Sequence, residues 1–112
     1  MELVLERENL EGDALLVVRG EVDVQTAPQL RDALVEIIGE GGGRVLVDLE
    51  GVGFVDSVGL GMLIAGLKRA RSRGGDLEVI ATGRAVLRVF EVTGVGGIMT
   101  VHAGRDAARR SS

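Results

Sequence analysis

The sequence has no cysteine, tryptophan or tyrosine, and only two phenylalanines, one proline and one histidine. Without cysteine there is no disulfide, no thiolate metal site and no cysteine nucleophile, which suits a reducing cytosol. With a single histidine, and with acids spread along solvated faces, no metal-ligating cluster and no cofactor are expected. The scarcity of aromatics removes the stacking platforms on which single-stranded nucleic acid is held. A net charge of −4, from 17 acids against 13 bases, argues against a nucleic-acid surface of any kind. A membrane-spanning run is missing as well. The apolar stretch from Val58 to Leu67 falls short of the roughly 20 residues a bilayer requires, and the N-terminus, MELVLEREN, is charged where a signal peptide carries its apolar segment. The expectation is a cytoplasmic protein engaged with neither membrane nor nucleic acid.

What is present is 46% hydrophobic residues in 112, enough for one domain (1–112) with a small core and a polar end over residues 103–112. Leu3, Val4 and Leu5 begin a first strand, and Glu8 to Asp13 reads as a hairpin connection. Ala14 to Arg19, ALLVVR, is a second strand, apolar enough for burial on both faces, from which GEVDVQ turns away. Thr26 followed by Gln29 has the pattern of a capping box, and Pro28 sits in a first turn where its missing N–H costs nothing. Ala27, Leu30, Leu34, Ile37 and Ile38 then share one helical face, until Gly39 to Gly43 ends the helix.

Arg44 to Leu49 is a third strand. Leu60, Leu63, Ile64 and Leu67 recur at helical offsets in a second helix. Lys68, Arg69, Arg71 and Arg73 form its solvated basic end, complementary to the helix dipole, and Gly74-Gly75 stops it. Asp76 to Ala81 is a fourth strand. Arg84 to Val92 is a short helix with Val86, Leu87 and Phe90 facing in, closed by Gly94, and Gly97 to Val101 is a fifth strand. The tail GRDAARRSS is at best a frayed helix. Strands that alternate with helices imply parallel units. The fold class is therefore α/β: a mostly parallel five-stranded sheet with an antiparallel N-terminal strand and three to four helices.

This topology gives the stretch GFVDSVGLGMLIAGL, Gly53 to Leu67, its interest. With the second and third strands parallel, their carboxyl ends share one edge of the sheet, the edge where open α/β sheets present binding groups. The loop holding Asp23 and the loop holding Asp56 and Ser57 both leave from that edge. Two acids and a serine should thus converge beside a helix N-terminus. Ser57 has two readings. It is a helix N-cap, worth about 1 kcal/mol, or it is a site of phosphorylation. Gly59 and Gly61 each cost a first turn roughly 1 kcal/mol against alanine, so bare backbone there serves close packing or a close-approaching partner. A phosphate would add about −1.5 to −2 charges. A helix N-terminus tolerates that charge, so the fold survives while docking changes.

Enzyme readings find less support. A serine hydrolase elbow wants glycine two residues before the serine, where Val55 stands, and His102 lies far along the chain. A lone histidine after a strand reads as a solvated loop residue. GLGMLI from Gly59 lacks the third small residue of a dinucleotide fingerprint, Ile64 standing in its place, and no Walker lysine follows any glycine run.

The stretch VLVDLEGVGFVDSVGLGMLI (Val45 to Ile64), preceded by GEVDVQTAPQLRDAL (Gly20 to Leu34) and followed by RSRGGDLEVI and RVFEVTGV, resembles the bacterial anti-sigma factor antagonists of the STAS-domain family. The resemblance runs over nearly the whole chain at consistent spacing. It implies that Ser57 is phosphorylated by a cognate ATP-binding anti-sigma kinase. It implies that Asp56 and Asp23 are acids at the partner interface, and that Gly59, Leu60 and Gly61 form the turn and first helical residues that contact the partner. It further implies an anti-sigma factor antagonist that frees a sigma factor when unphosphorylated, lets go when phosphorylated, and is reset by a serine phosphatase, with no catalytic residue of its own. Val58 stands where several relatives carry a second hydroxyl residue, which leaves Ser57 as the single acceptor. The alternative within the family is a scaffold or accessory subunit of a larger complex, such as a stress-signalling complex or a transporter, without a phosphoswitch.

Overall fold

The computed structural model describes residues 3–109. Strand β1 (Val4–Leu10) pairs antiparallel with β2 (Asp13–Val22). Then follow α1 (Ala27–Gly39), β3 (Arg44–Val55), α2 (Ser57–Ser72), β4 (Asp76–Ile80), α3 (Arg84–Thr93), a 3₁₀ turn (Val95–Gly97), β5 (Val101–His102) and α4 (Arg105–Ala108). The five strands lie in chain order, and all pairings after the first are parallel. This is the α/β architecture expected from the sequence.

The hairpin is tighter than the polar segment from Glu8 to Asp13 suggests. Only Glu11 and Gly12 turn, both at positive φ, as a two-residue hairpin turn demands, and Asn9 Oδ1 accepts from Gly12 N at 2.9 Å. Strand β2 is buried on both faces. Leu16 and Val18 join the main core, while Leu15 and Val17 join a smaller cluster on the opposite face. The main core lies under α1, α2 and α3, with Leu30, Leu34, Leu63, Leu67, Val86 and Phe90 closing on Val45, Val47, Leu77 and Val79. The predicted inward face of α1 is buried throughout. On α3, Val86 and Phe90 are buried but Leu87 is largely exposed, which corrects its assignment to the inside.

Two strands run further than their composition suggests. GEV, read as turning away, continues β2 to Val22, and β3 extends from Leu49 to Val55. The extension of β3 bulges twice. The register passes from Val17↔Asp48 to Arg19↔Gly51, then from Gly20↔Val52 to Glu21↔Phe54, each time with one extra residue in β3. Gly51 is needed at the first bulge because a Cβ there would lie 2.8 Å from Cγ of Arg19. The fifth strand is shorter than predicted, since Val95–Gly97 forms a 3₁₀ turn and only Val101–His102 pairs.

The polar tail is not frayed over its described part. Helix α4 places Ala108 in the smaller cluster with Leu10, Leu15, Val17, Leu46 and Ile80. Arg105 Nε donates to Asp48 Oδ2 at 2.9 Å and its Nη1 to Glu8 Oε1 at 3.0 Å, while Arg109 bonds Glu11. Beneath them Arg44 bridges Asp13 (2.6 Å), Glu78 (2.9 Å) and the carbonyl of Ala108 (2.6 Å). His102 belongs to this cluster rather than to a solvated loop, with Nε2 2.7 Å from Glu78 Oε1. Residues 110–112 of the predicted tail lie outside the described residues.

Candidate functional site

The carboxyl ends of β2 and β3 meet through one backbone bond, Asp56 N donating to Val22 O at 3.0 Å. Everything at this edge is built outward from that contact. Asp56, in extended conformation, is the N-cap of α2, and its Oδ1 accepts from Gly59 N at 2.8 Å. Its other oxygen accepts from Val24 N at 3.1 Å, across to the loop after β2. One carboxylate therefore caps a helix and ties two loops together.

The loop holding Asp23 is folded by its own side chains. Asp23 Oδ1 accepts from Gln25 N (2.9 Å) and Thr26 N (3.1 Å). The buried Thr26 hydroxyl donates to Glu21 O (2.8 Å) and accepts from Asp23 N (2.9 Å). Thr26 is thus the N-cap of α1 by position but makes no side-chain cap bond, and the Gln29 side chain accepts from Leu3 N at 3.2 Å instead. The expected capping box is not formed, because the Thr26 hydroxyl is consumed by the turn before the helix.

Ser57 is the first helical residue and is exposed, so the reading of it as the cap is corrected: Asp56 holds that place. No described residue hydrogen-bonds its hydroxyl. Asp23 and Asp56 are both half-buried, and among the described residues neither forms an ion pair. The structure thus brings Asp23, Asp56 and Ser57 to one edge, with the acids satisfied by backbone N–H groups and with no arginine or lysine paired to them.

The three helical residues expected to meet a partner separate into two kinds. Gly59 is buried, and a Cβ there would overlap the Val22 side chain and lie 3.0 Å from Val22 O. Its bareness serves packing of α2 on the end of β2. Leu60 is only 4% exposed and belongs to the core, so its side chain is not available to a partner. Gly61 is half-buried with open space where a Cβ would go, and nothing inside the fold requires it to be glycine. The exposed apolar side chains of these loops and of the first helical turn are instead Val24 at 63% exposure, Phe54 at 46% and Val58 at 39%. Their signal was the odd placement of apolar residues beside charged ones in DVQ and FVDSV.

Among the described residues no group of three or more His, Cys, Asp or Glu is arranged to hold a metal ion, and no helix is long and apolar enough to cross a membrane.

The family model described as "Mlab, STAS domain" matches residues 7–101. The anti-sigma-B factor antagonist of Staphylococcus aureus (strain NCTC 8325 / PS 47) is 34% identical over 89 residues, which is 80% of this chain and 82% of that protein. The crystal structure of an anti-sigma factor antagonist from Mycobacterium paratuberculosis superposes with a TM-score of 0.85 at 29% identity, covering 95% of this chain and 91% of that one. The Bacillus cell fate determinant SpoIIAA in its phosphorylated form shares the fold, with a TM-score of 0.67 at 21% identity over 95% of this chain and 96% of its own.

Proposed function

This chain belongs to the STAS-domain family, and from that premise we propose that it acts as a cytoplasmic anti-sigma factor antagonist. It binds an anti-sigma factor that carries serine kinase activity and thereby frees a sigma factor. Phosphorylation of Ser57 ends the binding, and a serine phosphatase restores it. Its work is binding rather than catalysis.

The observation that carries this reading is the division of labour between Asp56 and Ser57. Because Asp56 supplies the cap, the Ser57 hydroxyl has no structural task and stands in solvent at a helix N-terminus. A phosphate added there gains from the helix dipole and leaves the bonds of Asp56 in place. Among the described residues no cation is paired with Asp23 or Asp56, so no internal salt bridge there is ready to absorb the new dianion. The charge is therefore presented outward, next to Asp23 and Asp56, on the surface where Val24, Phe54 and Val58 offer apolar contacts. A partner seated on those contacts meets roughly two additional negative charges in a desolvated interface, where like charges cost several kcal/mol.

A second reading keeps only the family membership: a STAS scaffold or accessory subunit of a larger complex, without a phosphoswitch. Pull-downs from the source cytosol with wild type, Ser57→Ala and Ser57→Asp as baits separate the two. The switch requires an ATP-binding anti-sigma kinase captured by wild type and Ser57→Ala and lost with Ser57→Asp, all three baits melting alike. Identical captures by all three, or capture of a transporter complex, would establish the accessory-subunit reading instead.

A further inference from the structure

Away from the Ser57 edge, α1 and α2 flank a groove of about 480 Å³. Its floor is apolar and tightly packed. Leu34 and Ile38 are buried there, and Gly66 is closely packed, since a Cβ would lie 3.1 Å from Leu77 and 3.3 Å from Leu34. Val35 on one wall, 42% exposed, faces Met62 and Ala65 on the other. The rim is basic on both sides: Arg31 from α1, Lys68 and Arg69 from α2. No carboxylate lines the groove, although the chain as a whole carries a net charge of −4. Among the described residues Lys68 and Arg69 form no ion pair, and Arg31 pairs only with its neighbour Asp32 at 3.1 Å.

We propose that this groove is a docking site for an acidic amphipathic helix of a protein partner. An apolar floor with Arg31 on one side and Lys68 and Arg69 on the other matches a helix that carries leucine-like anchors at i, i+3, i+4 and i+7 with carboxylates beside them. Charge complementarity selects the sign of the occupant, and among the described residues Lys68 and Arg69 are not already neutralised by an ion pair. The groove contains none of the residues of the Ser57 edge, so its occupancy is separable from the switch and stands or falls independently of it.

The test uses the full chain, labelled with ¹⁵N, and a probe peptide of about 16 residues with leucine at helical spacing and glutamate elsewhere. The expected result is amide shifts centred on Val35, Met62, Ala65, Lys68 and Arg69, with affinity that weakens as salt rises. The K68E/R69E double variant weakens the affinity by about tenfold or more. Ala65→Glu, which puts an acid into the groove while keeping the rim, weakens it too, and both variants keep the wild-type circular dichroism. Ser57→Asp binds the peptide as wild type does. The proposal is overturned if the same peptide with lysine for glutamate binds equally well, if the shifts fall on Val24, Phe54 and Val58, or if the acidic peptide does not bind. It is overturned as well if vesicles of phosphatidylcholine with about one quarter phosphatidylglycerol bind and the peptide does not, since that assigns the cations to lipid.

Discussion

Two groups of carboxylates lie at different places on this sheet and are satisfied in opposite ways. At the Ser57 edge, Asp23 and Asp56 accept from backbone N–H groups and, among the described residues, pair with no cation. On the sheet face opposite the three main helices, Asp13, Asp48, Glu78 and Glu8 are held by Arg44 and Arg105. Backbone amides fix a carboxylate's position but leave its charge unneutralised, whereas guanidinium groups fix both. The first arrangement suits a surface meant to be read by another molecule. The second suits one meant to stay shut: the Asp48 side chain is 4% exposed and that of Asp13 5%, and buried acids of that kind need a paired cation.

The contrast breaks most visibly at Arg44. Arg44→Ala removes the cation that Asp13 and Glu78 share and should cost about 3 kcal/mol in urea unfolding. Binding to the captured partner should be unaffected at concentrations where the variant is folded. A variant that unfolds at the wild-type urea midpoint would show that the face opposite the helices is not held by these pairs. At the other edge, Asp56→Ala loses the cap and the tie to Val24, for about 1–2 kcal/mol. Asp56→Asn keeps one accepting oxygen for Gly59 N but turns its amide NH2 toward Val24 N, so it should melt between Ala and wild type while partner affinity changes with the lost charge. If Asn melts as low as Ala, the cap bond to Gly59 contributes nothing measurable. The smallest effect belongs to the exposed pair of Arg7 and Glu40. The bond to Arg7 holds the Glu40 carboxyl below its usual range. A lowered folded-state value contributes stability that is fully present above the ordinary glutamate value and is lost as pH falls through the depressed one. Glu40→Gln should therefore differ slightly from wild type at neutral pH and converge with it in acid; a gap that widens in acid would reverse that assignment.

The same division explains what the sequence disclosed. Local features were legible: the buried face of α1, the double burial of β2 and the close of α3 at Gly94; the alternation of strands and helices also carried the meeting of Asp23, Asp56 and Ser57 at one edge. Features that depend on a distant partner were not. Gly51 and Gly53 look like breakers in LEGVGFV, yet bulged pairing with β2 carries them as strand. Asp56 and Ser57 are both good caps by composition, and only the geometry of the Val22 contact chooses between them. Arg105 and Arg109 look solvated until Asp48, Glu8 and Glu11, some 57, 97 and 98 residues away, come into reach.

The chain-order arrangement of the five strands has a consequence for biosynthesis. Each strand that leaves the ribosome finds its sheet neighbour already made, so the sheet grows vectorially from the first hairpin without waiting for a later insertion. Helix α4 reaches back from the far end of the sheet to its first hairpin, through the ties of Arg105 to Glu8 and Arg109 to Glu11. A nascent chain that lacks α4 displays Leu15, Leu46 and Ile80 without the Ala108 cover. Docking of α4 is thus the step that covers this apolar face.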